Sequence, residues 1–146
     1  MRTSMTYKEF INRPTAISRR IDHKQAEASK CFDACVRTTA APREVMIKSG
    51  ENARDVNLAR YIDAQAELAK LHEDFKAVAK VTRSFLYDAL KPDVADLMEY
   101  RYVDCCTVNE IAAMKSMAPQ SVRNKISRGN KEAEKYWEEQ SGYRML

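Results

Sequence analysis

Glycine and proline are scarce in this chain: three and four residues respectively, in 146. Alternating apolar and polar runs bounded by turn residues are also missing, which argues against sandwiches, barrels and parallel sheets. No apolar run approaches the ~20 residues needed to span a bilayer, so no membrane segment is expected. Residues 1–10 carry no apolar stretch behind a basic start, so no signal peptide is expected either, and the default compartment is a reducing cytoplasm with thiol cysteines. There is no glycine-rich phosphate loop and no pairing of a nucleophile with a base. An enzyme is therefore not expected, and no cofactor is implied.

Histidine occurs only twice, which limits metal chemistry. Cys31 and Cys35 lie one helical turn apart and have His23 or His72 as possible co-ligands, but four ligands at zinc-like spacing are missing. His72-Glu73 opens a metalloprotease pattern that Lys76 closes off, because lysine stands where the second histidine is needed. Cys105-Cys106 is a vicinal pair in a turn, read as two reduced, small apolar residues. No metal site is expected.

What the chain does have is Ala, Glu, Lys, Arg, Leu and Met in quantity, an all-α composition. Thr6-Tyr7-Lys8-Glu9 has capping-box spacing and predicts a helix start at Thr6, with Pro14 interrupting or restarting the helix. From Thr15 to about Thr38, Ile17, Ile21, Ala28, Phe32 and Cys35 share a face. Thr38 to Asp55 is a break, in which Pro42 and Gly50 bracket the apolar Val45-Met46-Ile47. From Val56 to about Leu90, Tyr61, Ala64, Leu68, Leu71, Phe75, Val78, Thr82, Phe85 and Ala89 form a 3,4-spaced seam. That seam suits a helical hairpin with the first helix, a dimer, or both together in a four-helix bundle.

Lys91-Pro92-Asp93 is a restart signal, with proline near the first helical position and an acid in the first turn, and shorter helices follow. Val94, Leu97, Met98 and Tyr102 form the inward stripe of the next helix. Thr107 and Glu110 form a second capping box, and Val108, Ile111, Ala112 and Met114 supply the apolar side behind it. Lys115 to Ala118 is a turn, and Pro119 opens a last helix with Val122 and Ile126 facing inward. A further helical stretch runs to about Gln140 and ends at Gly142. Arg101 and Glu110 are placed to form an interhelical ion pair. The expected division is a helical hairpin over residues 1–89 and a three-helix domain over residues 90–146.

Net charge is +4. Residues 91–146 are neutral overall, with nine bases and nine acids. Their order is uneven: acids dominate up to Glu110, and then Lys115, Arg123, Lys125, Arg128 and Lys131 follow with no acid between them. One concentrated basic helix suits phosphate docking, although a solvated helix face has the same pattern.

Leu-Met-Glu-Tyr-Arg-Tyr-Val-Asp, Thr-Val-Asn-Glu-Ile-Ala and Ser-Val-Arg-Asn-Lys-Ile together resemble region 4 of bacterial sigma factors. The whole chain is similar to small phage and prophage proteins of Gram-positive bacteria, including ArpU-like transcriptional regulators. In those proteins a helical hairpin precedes the sigma-like C-terminus; Val45 to Gly50 and Ile62-Asp63-Ala64 look like this chain's version of its middle. Three positions depart from the pattern. Cys105 follows Asp104 where Asp-Gly is usual, Lys115-Ser116 stand in place of Leu-Gly, and Ala118 stands in place of a capping serine. The resemblance implies a helix-turn-helix that binds promoter DNA, with RNA polymerase as a further partner, in the cytoplasm and nucleoid of a bacterial host.

Within such a helix, opened by Pro119, Gln120, Arg123 and Asn124 have the chemistry for base edges: the amides suit adenine and the guanidinium suits guanine. Ser121, Lys125, Arg128 and Lys131 suit phosphate, as do the N–H groups at the Thr107 helix start. A neutral domain should bind duplex DNA weakly as a single copy, so a homodimer or higher homo-oligomer, or tethering by polymerase, is expected. Two other uses fit the same pattern: a polymerase- or sigma-binding modulator, and an accessory protein for DNA packaging or recombination.

Overall fold

The structure is a computed structural model that describes residues 5–40 and 51–140. Among the described residues there are five helices and no strand: α1 (Tyr7–Ala40), α2 (Glu51–Ala89), α3 (Pro92–Tyr102), α4 (Val108–Lys115) and α5 (Pro119–Glu139). The fold is all-α. No described helix is long and apolar enough to cross a membrane. Val45-Met46-Ile47, with Pro42, Gly50 and Gly142, lies outside the described residues.

The helices group into two compact units that cut across the sequence division at residue 89. The first unit takes residues 5–16 and 76–140, and the second takes residues 17–40 and 51–75. Each long helix therefore contributes to both.

In the first unit, α3, α4 and α5 surround Leu97, Met98, Ile111 and Val122, all at most 2% exposed. Burying each such side chain stabilises by about 1.5–3 kcal/mol relative to leaving it in water. The buried stripe of α5 is Val122, Ile126, Gly129 and Ala133, at 4,3,4 spacing. Its bulk falls toward the C-terminus, and there α3 comes close. A Cβ on Gly129 would lie 2.8 Å from Val94 Cγ1 and 3.2 Å from Met98 Sδ, so only glycine fits without displacing a stiff β-branched neighbour.

The same core includes Tyr7, Phe10 and Ile11 from α1, with Phe85, Leu86 and Leu90 from the end of α2 and the linker after it. Phe85 is the hub. Its ring meets those of Phe10 at 5.0 Å, Tyr136 at 5.5 Å, Trp137 at 5.7 Å and Tyr7 at 6.2 Å. Polar contacts fix the register. The Tyr7 hydroxyl donates to Asn130 Oδ1 at 2.7 Å, and Asn130 Nδ2 donates to the Tyr102 hydroxyl at 2.9 Å. Burial, with Tyr102 and Glu134 nearby, pushes the Tyr7 hydroxyl up in pKa and keeps it a donor. Arg83 Nε pairs with Glu99 at 2.8 Å, and the Tyr87 hydroxyl meets Asp96 and Glu99, joining α2 to α3.

The second unit is an antiparallel helix pair. Ile21 and Ala28 of α1 form a buried cluster with Ala64 and Leu68 of α2, flanked by Ile17, Tyr61, Leu71 and Phe75. Phe32 packs on Tyr61 at 5.6 Å, and Lys24 bridges to Glu67 at 2.5 Å. All nine seam residues expected on α2 are buried or half-buried. Thr82 is fully buried and returns its hydroxyl to the Val78 carbonyl at 2.9 Å, which satisfies the one polar member.

Three expectations need correction. Pro14 does not break α1; it is buried inside the helix. The apolar stripe Tyr7, Phe10, Ile11, Pro14, Ile17, Ile21 continues through it, and burial on both sides outweighs the hydrogen bond lost to the proline. Met114 is 53% exposed rather than inward. Arg101 and Glu110 do not pair: Arg101 Nη1 donates to the Cys106 carbonyl at 3.4 Å, and the Glu110 carboxylate is held by Thr107.

Phe10→Ala is expected to destabilise the first unit by about 3–5 kcal/mol, the usual loss for a buried phenylalanine. The single tryptophan, Trp137, stacks on Phe10 at 4.7 Å and so reports the change. Denaturant melts followed by its emission should show an earlier midpoint and a red-shifted folded baseline. An unchanged midpoint would separate residues 5–16 from this core.

Candidate nucleic-acid interface

The candidate face lies on α5, opposite its buried stripe. At about 100° per residue, Gln120, Asn124 and Lys131 point away from Val122, Ile126, Gly129 and Ala133, with Ser127 and Arg128 to either side of them. Pro119, Gln120, Ser121, Arg123, Asn124, Arg128 and Lys131 are all exposed. Arg123 lies toward one flank of this face and Lys125 toward the other. Of the residues expected to bind, Lys125 alone on α5 is half-buried, with its ammonium 3.9 Å from Asp93 of α3.

The three side chains expected at base edges are linked to one another. Gln120 Nε2 donates to Asn124 Oδ1 at 3.0 Å, and Arg123 Nη1 reaches Gln120 Oε1 at 3.4 Å. These bonds hold two amides and a guanidinium together across the first two turns, where α5 begins at Pro119. Ala118 offers no side-chain cap, so no serine hydroxyl competes for the first amides. Ser127 is exposed between Asn124 and Arg128, and sequence reasoning missed it. The signal was its position one turn beyond Arg123 and Asn124.

Thr107 lies on a different element, at the start of α4. Its hydroxyl accepts from the Glu110 amide at 3.2 Å, and its own amide donates to Glu110 Oε1 at 2.8 Å. The backbone amide of Thr107, followed by its side chain, holds the Glu110 carboxyl below its ordinary pKa. That amide is therefore already used, and a carboxylate stands beside it. What Thr107 offers a ligand is the hydroxyl proton.

The turns on either side of α4 require an unusual backbone. Cys105 has φ 59° and Ser116 has φ 53°, the two non-glycine residues with positive φ among the described residues. Ser116 caps α4 in the left-handed region, its amide bonded to the Ala112 carbonyl, and Met117 N bonds the same carbonyl at 2.9 Å. Cys105 turns the chain so that Cys106 N reaches the Tyr100 carbonyl at 2.9 Å. Burial pushes the Cys106 thiol up, away from thiolate reactivity. No disulfide joins the cysteines, and no cluster of three metal-ligating side chains occurs among the described residues.

Ser116→Gly should stabilise the protein by about 1 kcal/mol, because a side chain in the left-handed region carries a cost that glycine avoids. Ser116 is exposed and caps through its backbone, so nothing else is lost. Thermal unfolding should shift up by a few degrees; a fall would mean that the turn is not left-handed.

No protein-family model, no curated protein and no solved structure matches this chain.

Proposed function

We propose that this protein is a sequence-specific duplex-DNA-binding regulator, with α4 and α5 acting as a helix-turn-helix and α5 as the reading helix. The observation that carries the reading is the outward face of α5. From Pro119 to Lys131 it holds Arg123, Arg128 and Lys131, with Lys125 on one flank beside Asp93, and Gln120, Asn124 and Arg123 are exposed and hydrogen-bonded to one another at its start. A helix about 10–12 Å across fits the major groove, where amides pair with adenine and arginine with guanine. Arg128 and Lys131, a turn or more further along, grip phosphate, and Ser121 and Thr107 add hydroxyl donors. Pro119 sets the entry of the helix.

The likeness to sigma region 4 gains support from the backbone. The two positions at which that pattern usually carries glycine are Cys105 and Ser116, the same two residues that adopt positive φ. On this reading the protein is a phage or prophage transcriptional regulator that acts at promoters in a bacterial cytoplasm, with RNA polymerase as a second contact and no catalytic role. Its domain carries no net charge, so binding is strengthened by a second copy.

One observation favours a second reading, a polymerase- or sigma-binding modulator. Met114 on α4 is an exposed, flexible apolar side chain, suited to a protein surface.

Selection of bound fragments from genomic DNA by the purified protein tests the proposal. A defined sequence motif is expected, and Arg123→Ala with Asn124→Ala should weaken binding to it about a hundredfold or more, since each bidentate base contact is worth about 1–3 kcal/mol. Both side chains are exposed, so helicity should not change. Unchanged retardation of the selected fragment by the double variant would remove α5 from the reading role.

A further inference from the structure

Where α3 meets α5, the close approach at Gly129 also brings opposite charges together. Val94 rests on Gly129, and one turn earlier on α5 the Lys125 ammonium lies 3.9 Å from the carboxylate of Asp93, the residue before Val94. The pair is open to water: the Asp93 side chain is 67% exposed and that of Lys125 39%. Asp93 stands in the first turn of α3, where an acid favours the helix through its dipole. That role needs no partner on α5. At about 100° per residue, Lys125 lies about 40° around α5 from Ser121 and about 60° from Arg128. A polyanion that meets Ser121 and Arg128 therefore meets the ion pair as well.

We infer that Asp93 competes with DNA phosphate for the Lys125 ammonium and so restrains the affinity of α5 for any duplex. The inference rests on the reading of α5 as a DNA-binding helix and adds a regulating residue to it. To meet phosphate, the ammonium must leave the Asp93 carboxylate, which then stands unpaired beside a polyanion. Both steps cost free energy, together on the scale of an exposed ion pair. Neither depends on base sequence, because phosphate carries none. Asp93 thus works against the sequence-independent part of binding and leaves base contacts by Gln120, Arg123 and Asn124 untouched.

Retardation of the selected duplex and of an unrelated duplex by the full chain tests this. Asp93→Asn should tighten binding to both roughly two- to fivefold at about 50 mM salt, the scale of one exposed ion pair. The gain should shrink as salt rises and screens the charges. In a Lys125→Met background, Asp93→Asn should give a much smaller gain, because the two side chains act as a pair. Glu138→Gln removes an equal charge at the packed end of α5 and should leave binding unchanged. If Asp93 serves only the α3 dipole, Asp93→Asn lowers the unfolding temperature and does not tighten binding. A native chain that binds, with Asp93→Asn no tighter, tighter on the selected duplex alone, equally tighter without Lys125, or matched by Glu138→Gln, would overturn the role of Asp93 and leave the reading of α5 standing. A native chain that retards neither duplex would overturn that reading and the inference with it.

Discussion

Everything in the first unit depends on how closely α3 can approach α5. Three short helices are a marginal amount of material for a core, and they succeed here because α5 presents Gly129 and Ala133 where contact is tightest. With no side chain at 129, Val94 and Met98 rest on backbone. Asn130 then sits where it can accept from Tyr7 and donate to Tyr102. The buried stripe thereby fixes the rotation of α5, and that rotation decides which residues face solvent. Gln120, Asn124 and Arg128 are outward because Val122, Ile126 and Gly129 must be inward.

The core is completed from a distance. Phe10 and Phe85 close over Tyr136 and Trp137, so the C-terminal half of α5 packs on α1 and α2, while its N-terminal half is buried only along Val122 and Ile126 and leaves its outer face bare. A single 21-residue helix is thus used in two ways along its length. Its acids, Glu132, Glu134, Glu138 and Glu139, are confined to the packed half. Its bases other than Lys135 stand in the N-terminal half or at its edge, where Lys125 has Asp93 beside it and Arg123, Arg128 and Lys131 are exposed.

Local signals in the sequence were enough for the all-α fold, the seam of α2 and the inward Val122 and Ile126 of α5. The 3,4 spacing of Tyr61 through Ala89 predicts the buried seam of α2, and both capping boxes form as Thr6-Glu9 and Thr107-Glu110 imply. What was not legible is long-range. Nothing near Tyr7 indicates that its hydroxyl meets a residue 123 positions away, and so a boundary at residue 89 looked natural. Pro14 misled because proline's local cost is visible in sequence and the packing that outweighs it is not. Met114 misled because an eight-residue helix has room for few inward positions, and Ile111 and Ala112 fill them. The glycine-like backbones of Cys105 and Ser116 could be anticipated only by comparison with a pattern that has glycine there.

The salt dependence of duplex binding is the most direct test of the bare half of α5 as a DNA-binding face. With Lys125, Arg128 and Lys131 each displacing counterions from phosphate, affinity for the selected duplex should fall with salt at a log–log slope of roughly −3 per copy, and Lys131→Ala should reduce that slope by about 0.9. A slope near zero, or a slope that Lys131→Ala leaves unchanged, would contradict the account.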